Sequence, residues 1–339
     1  MRRLCQFLAL RSRRALRAVN SRYVAARLLQ MAPSCAVVVV VAFLLIQLAP
    51  GDPVFALAGE HGDPAYYAFM RERFGLDQSI PRQLATYAAR VATGDFGVSY
   101  VQGRDAGAMI AERVPATLLL TTTALLLSVL IGIPLGILAG QRPHGAADLA
   151  VNSLTVAFQS TPAFLLAHLA ILSFALELRL FPVQGMTTAG SVAFGLRYVV
   201  DVLYHLALPA LVLASQEVAV LARLTRSGLV DELERDHVRT ARAKGLMERV
   251  VLWRHAMPRV LLSLVTVMGA RVGHLLAGAA VVEIVFGWPG LGRLMLTALE
   301  TRDTPVLLGL FFVVSLAVVL ANFLTDLLYA ALDPRVQYR

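Results

Sequence analysis

Charge is scarce in this 339-residue chain: 16% of its residues are Asp, Glu, Lys or Arg, against 58% hydrophobic. That balance, with a mean hydropathy of +0.67, excludes an ordinary soluble domain. Lysine is nearly missing. Lys244 is the only one, and Ala243 precedes it, so no G-x-x-x-x-G-K-[ST] loop exists to cradle the phosphates of ATP. The two cysteines, Cys5 and Cys35, have no metal-ligand spacing, and Cys35 lies inside an apolar run, so neither a zinc site nor a disulfide framework is indicated. H-E-x-x-H, C-x-x-C and G-x-S-x-G are absent too, and the seven histidines are scattered. Lone ones such as His168 and His205 read as packed or interfacial. No catalytic residue, cofactor or metal is expected, and the chain does not read as an enzyme.

Positive charge is what remains in excess, +9 at pH 7. A basic balance suits nucleic acid or a membrane surface. Here the cations flank apolar segments instead of lining one polar face, which points to lipid and not to nucleic acid. Residues 1–27 carry eight arginines and no acid. We assign 1–30 as a basic cytoplasmic arm; an amphipathic arm on the membrane surface and a mis-assigned start are both open for its first 25 or so residues.

The first apolar run, Ala32–Ala49, is about long enough to cross a hydrocarbon core of ~30 Å and marks residues 31–50 as a transmembrane helix. Ala56-x-Ala58 resembles a signal-peptide cleavage site, but the long basic lead and the turn-rich P-G-D-P at Pro50–Pro53 argue against cleavage. Residues 51–113, with eight acidic and six basic side chains, form an external loop containing an amphipathic helix near Ile80–Ala92. The core, 114–332, holds five further apolar segments, centred on 116–140, 150–176, 203–224, 259–285 and 305–331. Pro115 reads as a helix-starting proline and Pro134 as a kink. Gly132, Gly136 and Gly140 recur every four residues as a face for close helix contact. Six spans put both termini on one side, and the positive-inside rule makes it the cytoplasm, with 333–339 a short cytoplasmic tail.

The longest polar interruption of the second half is the basic island Asp236–Pro258, within a loop spanning 227–258. Small residues Thr240, Ala241 and Ala243 precede Gly245; an apolar stripe Leu246, Val250, Trp253, Met257 follows at roughly helical spacing. Two short helices meeting at a glycine fit that pattern. Inside the spans, Glu217, Arg271, His274 and Glu283 are costly to bury and so mark a pathway or an internal pairing, for instance Arg271 with Glu217 or Glu283. Arg271 and His274, three apart, share one helix face. After the fifth span, Phe286–Gly292 (F-G-W-P-G-L-G) has too many breakers to continue a helix. Trp288 there reads as a ring at the membrane–water boundary, and Trp288, Pro289 and Gly290 as lining an outer mouth or gate.

R-T-A-R-A-K-G-L at Arg239–Leu246, with His255-Ala256 after it, resembles the cytoplasmic coupling loop of ABC-importer permeases of the dipeptide/oligopeptide/nickel branch. Further matches are P-G-D-P, F-G-L-D at Phe74–Asp77, G-D-F-G at Gly94–Gly97, G-I-P-L-G at Gly132–Gly136, L-T-R-S at Leu224–Ser227, F-G-W-P-G-L-G, and D-P-R at Asp333–Arg335. The resemblance covers about residues 25–339. It implies an all-α integral membrane protein with the type I ABC-importer permease fold, six transmembrane helices and cytoplasmic termini. It implies location in the bacterial cytoplasmic (inner) membrane, a heterodimer with a second homologous permease, two cytoplasmic ABC ATPase subunits, and an external solute-binding protein. The coupling pattern carries over onto Arg239, Thr240, Ala241, Gly245, His255, Met257 and Pro258, with Arg242, Ala243 and Lys244 between them. Two departures stand out: Pro258-Arg259 where the branch usually has Arg-Asn, and Ser263 where it usually has Pro.

The resemblance implies a permease subunit forming half the pathway for a peptide or related small solute, with ATP hydrolysis in other subunits. The alternative is a proton-coupled secondary transporter, which needs intramembrane carboxylates in a relay and an internal repeat. Glu217 and Glu283 offer it little, and no repeat is visible.

Overall fold

The computed structural model describes residues 21–48, 63–190 and 194–332. Residues 1–20 of the arginine-rich arm, the P-G-D-P turn and the D-P-R tail lie outside these; residues 21–30, expected in the arm, are instead helical and continuous with the first span. Among the described residues the regular structure is helical, save one isolated antiparallel bridge between Val98 and Asp105. Among the described residues five helices are long and apolar enough to cross a membrane. They are α1 (Ser21–Leu48), α4 (Ala106–Gln141), α7 (Leu196–Leu233), the continuous stretch Glu248–Val285 that ends in α10 (Met257–Val285), and α12 (Thr304–Leu332).

The sixth crossing is not a straight helix over 150–176. It is a bent pair, α5 (Ala146–Ser160) and α6 (Ala163–Ala170, continued by a π-helical turn Ile171–Glu177), meeting at 105°. The cause is local. Pro162 has no N–H and disfavours a helical conformation in the residue before it, and Thr161 is extended at ψ 122°. The apolar run continues across the bend, so hydropathy alone hides it.

The second span also differs from expectation. Pro115 lies inside α4, not at its start, because the helix begins nine residues earlier at Ala106. Asp105 nucleates it, its carboxylate accepting from the backbone N–H of Ala108 at 2.6 Å. Ala106, Met109 and Ile110 of the added turns are buried. The segment between the first two spans supplies two short helices, α2 (Pro64–Phe74) and α3 (Ile80–Ala92). Asp63 caps α2 through Ala65 N–H at 3.0 Å.

The chain forms two compact units. In the unit built on Leu119–Gly287, with the end of α12 from Leu320, the three glycines of α4 lie directly against α7. A Cβ on Gly132 would sit 2.9 Å from Leu221 Cβ, one on Gly136 2.5 Å from the Ala222 carbonyl, and one on Gly140 3.1 Å from Leu229 Cδ2. Lipid tails are as apolar as leucine, so such helices associate through close van der Waals contact, which small residues permit. Gly269 of α10 does the same for Thr325 of α12, whose side chain a Cβ would overlap.

The second unit comprises the described residues of Arg27–Leu118 together with Trp288–Val319. Its core joins Ala106, Met109 and Ile110 to Leu291 and Ala298 of α11 (Leu291–Glu300) and to Val306, Leu307 and Leu310 of α12. Asp303, 3% exposed, is satisfied by Tyr100 N–H at 3.0 Å and by the Ser99 hydroxyl. Burial pushes the Tyr100 phenol up to about 12, with the Asp303 charge adding to it. Tyr87 is likewise raised to about 12 by burial, and its hydroxyl donates to the Leu308 carbonyl at 3.1 Å.

Candidate functional site

The basic island folds as α8 (Asp236–Ala243), a turn, and a helical stretch that runs straight on into the fifth span. Asp236 favours the start of α8 by placing negative charge in its first turn. The stop is at Gly245, φ +74°. Gly245 N–H bonds the Arg242 carbonyl at 2.9 Å and Leu246 N–H the Ala241 carbonyl at 3.4 Å, the paired closure of a Schellman motif. A left-handed residue is required there, and glycine takes it without strain.

One side of α8 is buried: Val238 is 0% and Ala241 4% exposed, packed with Val251. Ala241, one of the residues the resemblance singled out, is thus on the buried side, and the other side carries the rest of that segment. Arg239, Thr240, Arg242, Ala243, Lys244 and Gly245 are exposed, and Leu246 and Met247 beyond them are exposed too. Arg242 grips Glu248 through Nε–H at 2.7 Å and the second nitrogen at 3.3 Å, tying the helix to the segment past the turn. His255 is half-buried and Pro258 exposed in the first turn of α10.

The second short helix differs from the expected one. After Met247 a three-residue helix Glu248–Val250 passes into a π-helical turn Val251–Ala256 and then into α10. The wider turn shifts the helical phase by about a residue. The buried set is therefore Val251, Leu252, Ala256 and Met257. Of the expected stripe only Met257 is buried, and Trp253 is 43% exposed.

Within the spans, Arg271 of α10 holds Glu217 of α7 bidentately, Nε to Oε2 at 2.6 Å and a terminal nitrogen to Oε1 at 2.9 Å. The internal pairing weighed from sequence is thus present, with Glu217 at 8% and Arg271 at 29% side-chain exposure. His274, one turn on, is exposed, whereas Glu283 is fully buried.

Trp288 does not sit at a lipid boundary. It is fully buried, and its indole N–H donates to the Ala116 carbonyl at 2.9 Å. Two residues on, the backbone N–H of Leu291 donates to Thr117 Oγ1 at 2.8 Å. A buried indole needs an acceptor, and α4 supplies it because that helix begins upstream of Pro115. The residue of the turn in a left-handed conformation is Gly287, φ +60°, while Gly290 has φ −101°, open to any residue.

Three polar clusters were not foreseen. Asp148 of α5 receives a two-point grip from Arg226 of α7, with His144 N–H at 2.8 Å and Asn152 at 2.8 Å completing it. Glu232, 7% exposed, lies beneath α8 and collects Arg259 at 2.9 Å, His237 at 3.1 Å and Arg235 at 3.2 Å. Asp303 is the third. Among the described residues no group of three or more His, Cys, Asp or Glu side chains could hold a metal ion.

Comparison with known proteins bears on the whole chain. A family described as "Binding-protein-dependent transport system inner membrane component" matches residues 132–338, and its membrane-component N-terminal counterpart matches 20–121. Curated relatives include the glutathione transport system permease protein GsiC of Salmonella typhimurium (strain LT2) and of Escherichia coli (strain K12). Each is 38% identical over 317 residues, which is 94% of this chain and 99% of the relative. Among solved structures, a chain of the MetNI methionine ABC transporter in an inward-facing form aligns with a TM-score of 0.51 and 18% identity, over 66% of this chain and 96% of that one. At that identity the likeness shows the fold alone.

Proposed function

The chain belongs to the binding-protein-dependent transport system inner membrane component family, and from that premise we propose that it builds half of a translocation pathway beside a second, similar permease. It is a membrane-spanning permease subunit of an ABC importer in the bacterial cytoplasmic membrane. In the proposed assembly two cytoplasmic ATPases carry the hydrolytic chemistry and an external solute-binding protein delivers the cargo. The chain itself is no enzyme. The cargo class is a small peptide, because relatives covering nearly all of this chain are named for glutathione, a tripeptide. The proton-driven alternative finds no support in that family.

The observation that carries this reading is the two-sided character of α8. Val238 and Ala241 fix one side into the core, while Arg239, Thr240, Arg242, Ala243 and Lys244 leave the other side free for a protein partner. Gly245 sets its exit angle, and the continuous backbone through His255 and Pro258 makes the fifth span an extension of the same lever. Closure of the ATPases pushes α8, and the spans exchange between outward- and inward-open arrangements. Substrate moves because its affinity differs between the two. Arg271 and the exposed His274 face the pathway in this reading; Glu217 holds Arg271 in place. The buried Trp288 braces the outer mouth, formed with Pro289 and Gly290, and Glu283 is a buried acid of the fifth span.

The test is reconstitution of both permeases and both ATPases in liposomes, with binding protein and labelled glutathione or a dipeptide outside. Uptake should require ATP and the binding protein together. Uptake driven by a proton gradient in the absence of ATP would overturn the reading.

A further inference from the structure

Residues 178–190, which lead from the bent span toward α7, form no helix or strand. Such a segment keeps one shape only through the bonds it makes, and its bonds reach two other helices. Gly185 N–H donates to the Phe286 carbonyl, just past the end of α10, at 2.8 Å. Thr188 gives Asp201 of α7 both its backbone N–H, at 2.8 Å, and its hydroxyl, at 2.7 Å. Gly185 makes its bond from φ +90°, a conformation that favours glycine. Behind Asp201, His205 Nδ1–H donates to the Asp201 carbonyl at 2.9 Å, and the Phe181 ring tilts against Tyr204 with centroids 6.2 Å apart. All these residues lie in the unit built on Leu119–Gly287.

The two points held have a mechanical relation. Phe286 follows directly on the continuous helical stretch Glu248–Val285, whose other end is the coupling segment. Asp201 is in the first turns of α7, which packs along α10. With both termini inside, the start of α7 and the end of α10 are the outer ends of the fourth and fifth spans. A push on the coupling segment therefore arrives, at Phe286, on a carbonyl that the strap ties to α7. The tie has the character of a catch. Bonds to a carboxylate are the stronger class, yet Thr188 is exposed and the Asp201 side chain 15% exposed. Water can replace each partner when the bonds open, so release leaves no buried group unpaired.

We propose that Asp201 is a positioning residue of the transport cycle: it holds the strap 181–190 across the outer ends of α7 and α10, and the strap keeps those ends together until docked, loaded binding protein releases it. Asp201 acts through Thr188, Gly185 and the Phe286 carbonyl, not on the cargo. The inference rests on the reading above, in which an external protein delivers cargo and ATPases push the coupling segment.

The test uses the assembled transporter in nanodiscs, with two readouts: hydrogen exchange of the amides in 181–190, and ATP hydrolysis with and without loaded binding protein. In the unaltered complex at rest the Gly185 and Thr188 amides should be protected. Trapping with ATP, vanadate and loaded binding protein should speed their exchange by about tenfold or more. Equal exchange in the two states overturns the proposal, and that arm needs no variant, so misfolding cannot mask it. D201N puts an amide donor where the carboxylate accepts, and T188V removes the hydroxyl. Both should raise hydrolysis in the absence of binding protein by about threefold, as loss of one hydrogen bond shifts a two-state population. T188S keeps the hydroxyl and should stay near the unaltered value. Unchanged basal hydrolysis in folded D201N and T188V would mean a merely structural contact and overturn the proposal. So would a rise in T188S equal to that in T188V, which would trace the effect to packing of the strap. Absence of any stimulation by loaded binding protein in the unaltered complex would instead overturn the assembly reading.

Discussion

The break at Gly245 and the break at Phe286–Gly292 both interrupt helices of the second half, and they are built in opposite ways. At Gly245 nothing lies within 4 Å of where a Cβ would stand, and the residues around it, Arg242 to Arg249, are exposed. At Phe286–Gly292 the side chains turn inward: Phe286 is 1% exposed, Trp288 0% and Leu291 7%. Each region has one of the chain's two tryptophans, Trp253 at 43% exposure and Trp288 at none. The lesson concerns what a break is for. On the proposed reading, a turn that leaves its surface uncovered, with the helix before it pinned from behind, meets a second protein. A turn that buries its own aromatics and spends their polar atoms on a neighbouring helix is made to keep a shape.

The largest effect that could break this contrast lies at the tryptophans. Trp288→Ala removes a fully buried ring and leaves the Ala116 carbonyl without the indole donor. We expect a loss of about 3–5 kcal/mol of stability, read as earlier thermal unfolding of the purified complex. Trp253→Ala should change stability by no more than about 0.5 kcal/mol, as exposed substitutions do. It should instead weaken retention of the ATPases on a tagged permease. Equal destabilisation by the two variants would dissolve the distinction between the regions.

A smaller effect sharpens the same contrast at Gly245. A side chain there meets open space, so any cost comes from the backbone at φ +74° and not from crowding. The left-handed conformation costs an L-residue about 1–2 kcal/mol, and a β-branched one tolerates it least. Gly245→Val should leave insertion intact, lower the population of the closed Schellman turn by roughly tenfold, and depress uptake per ATP hydrolysed. Gly245→Asn should recover much of it, since asparagine visits that conformation. If Val and Asn behave alike, the turn geometry is not what couples the chain to hydrolysis.

Much of this was legible in the residues. The spans follow from long apolar runs, the α4–α7 contact from glycines spaced by four, and the end of α8 from Gly245. Of the polar pairings, Arg271 with Glu217, 54 residues apart, was one of two partners weighed from the residues. The others were not legible, because their partners are far apart in the chain: Arg226 finds Asp148 at 78 residues' separation and Arg259 finds Glu232 at 27. Hydropathy ranks segments and cannot place two charges opposite each other. The inward turn of Trp288 was hidden for a related reason. An amphipathic ring at a span's end fits the lipid boundary equally well until the start of α4 at Ala106 shows which carbonyl lies within its reach.

The smallest effect concerns a departure from the family pattern. Arg259 stands where the branch usually has Asn, and its guanidinium reaches the Glu232 carboxylate at 2.9 Å and the His237 ring at 3.1 Å. Removing one partner of a buried ion pair normally costs about 3–5 kcal/mol, because a charge is left uncompensated. That does not apply here. Glu232 retains Arg235 at 3.2 Å and His237 at 3.1 Å, and the Arg259 side chain is 55% exposed. Exposed pairs contribute about 0–1 kcal/mol. Arg259→Asn should therefore shift the unfolding of the complex by less than about 1 kcal/mol and reduce uptake only slightly, since α8 keeps its seat on Val238, Ala241 and Val251. Thermal unfolding and transport of the variant, measured beside Glu232→Gln, check this. Glu232→Gln removes the shared acceptor's charge and leaves Arg235, His237 and Arg259 facing a neutral group, so it should cost more than Arg259→Asn. The reverse order would mean that Arg259 alone holds the base of the coupling segment.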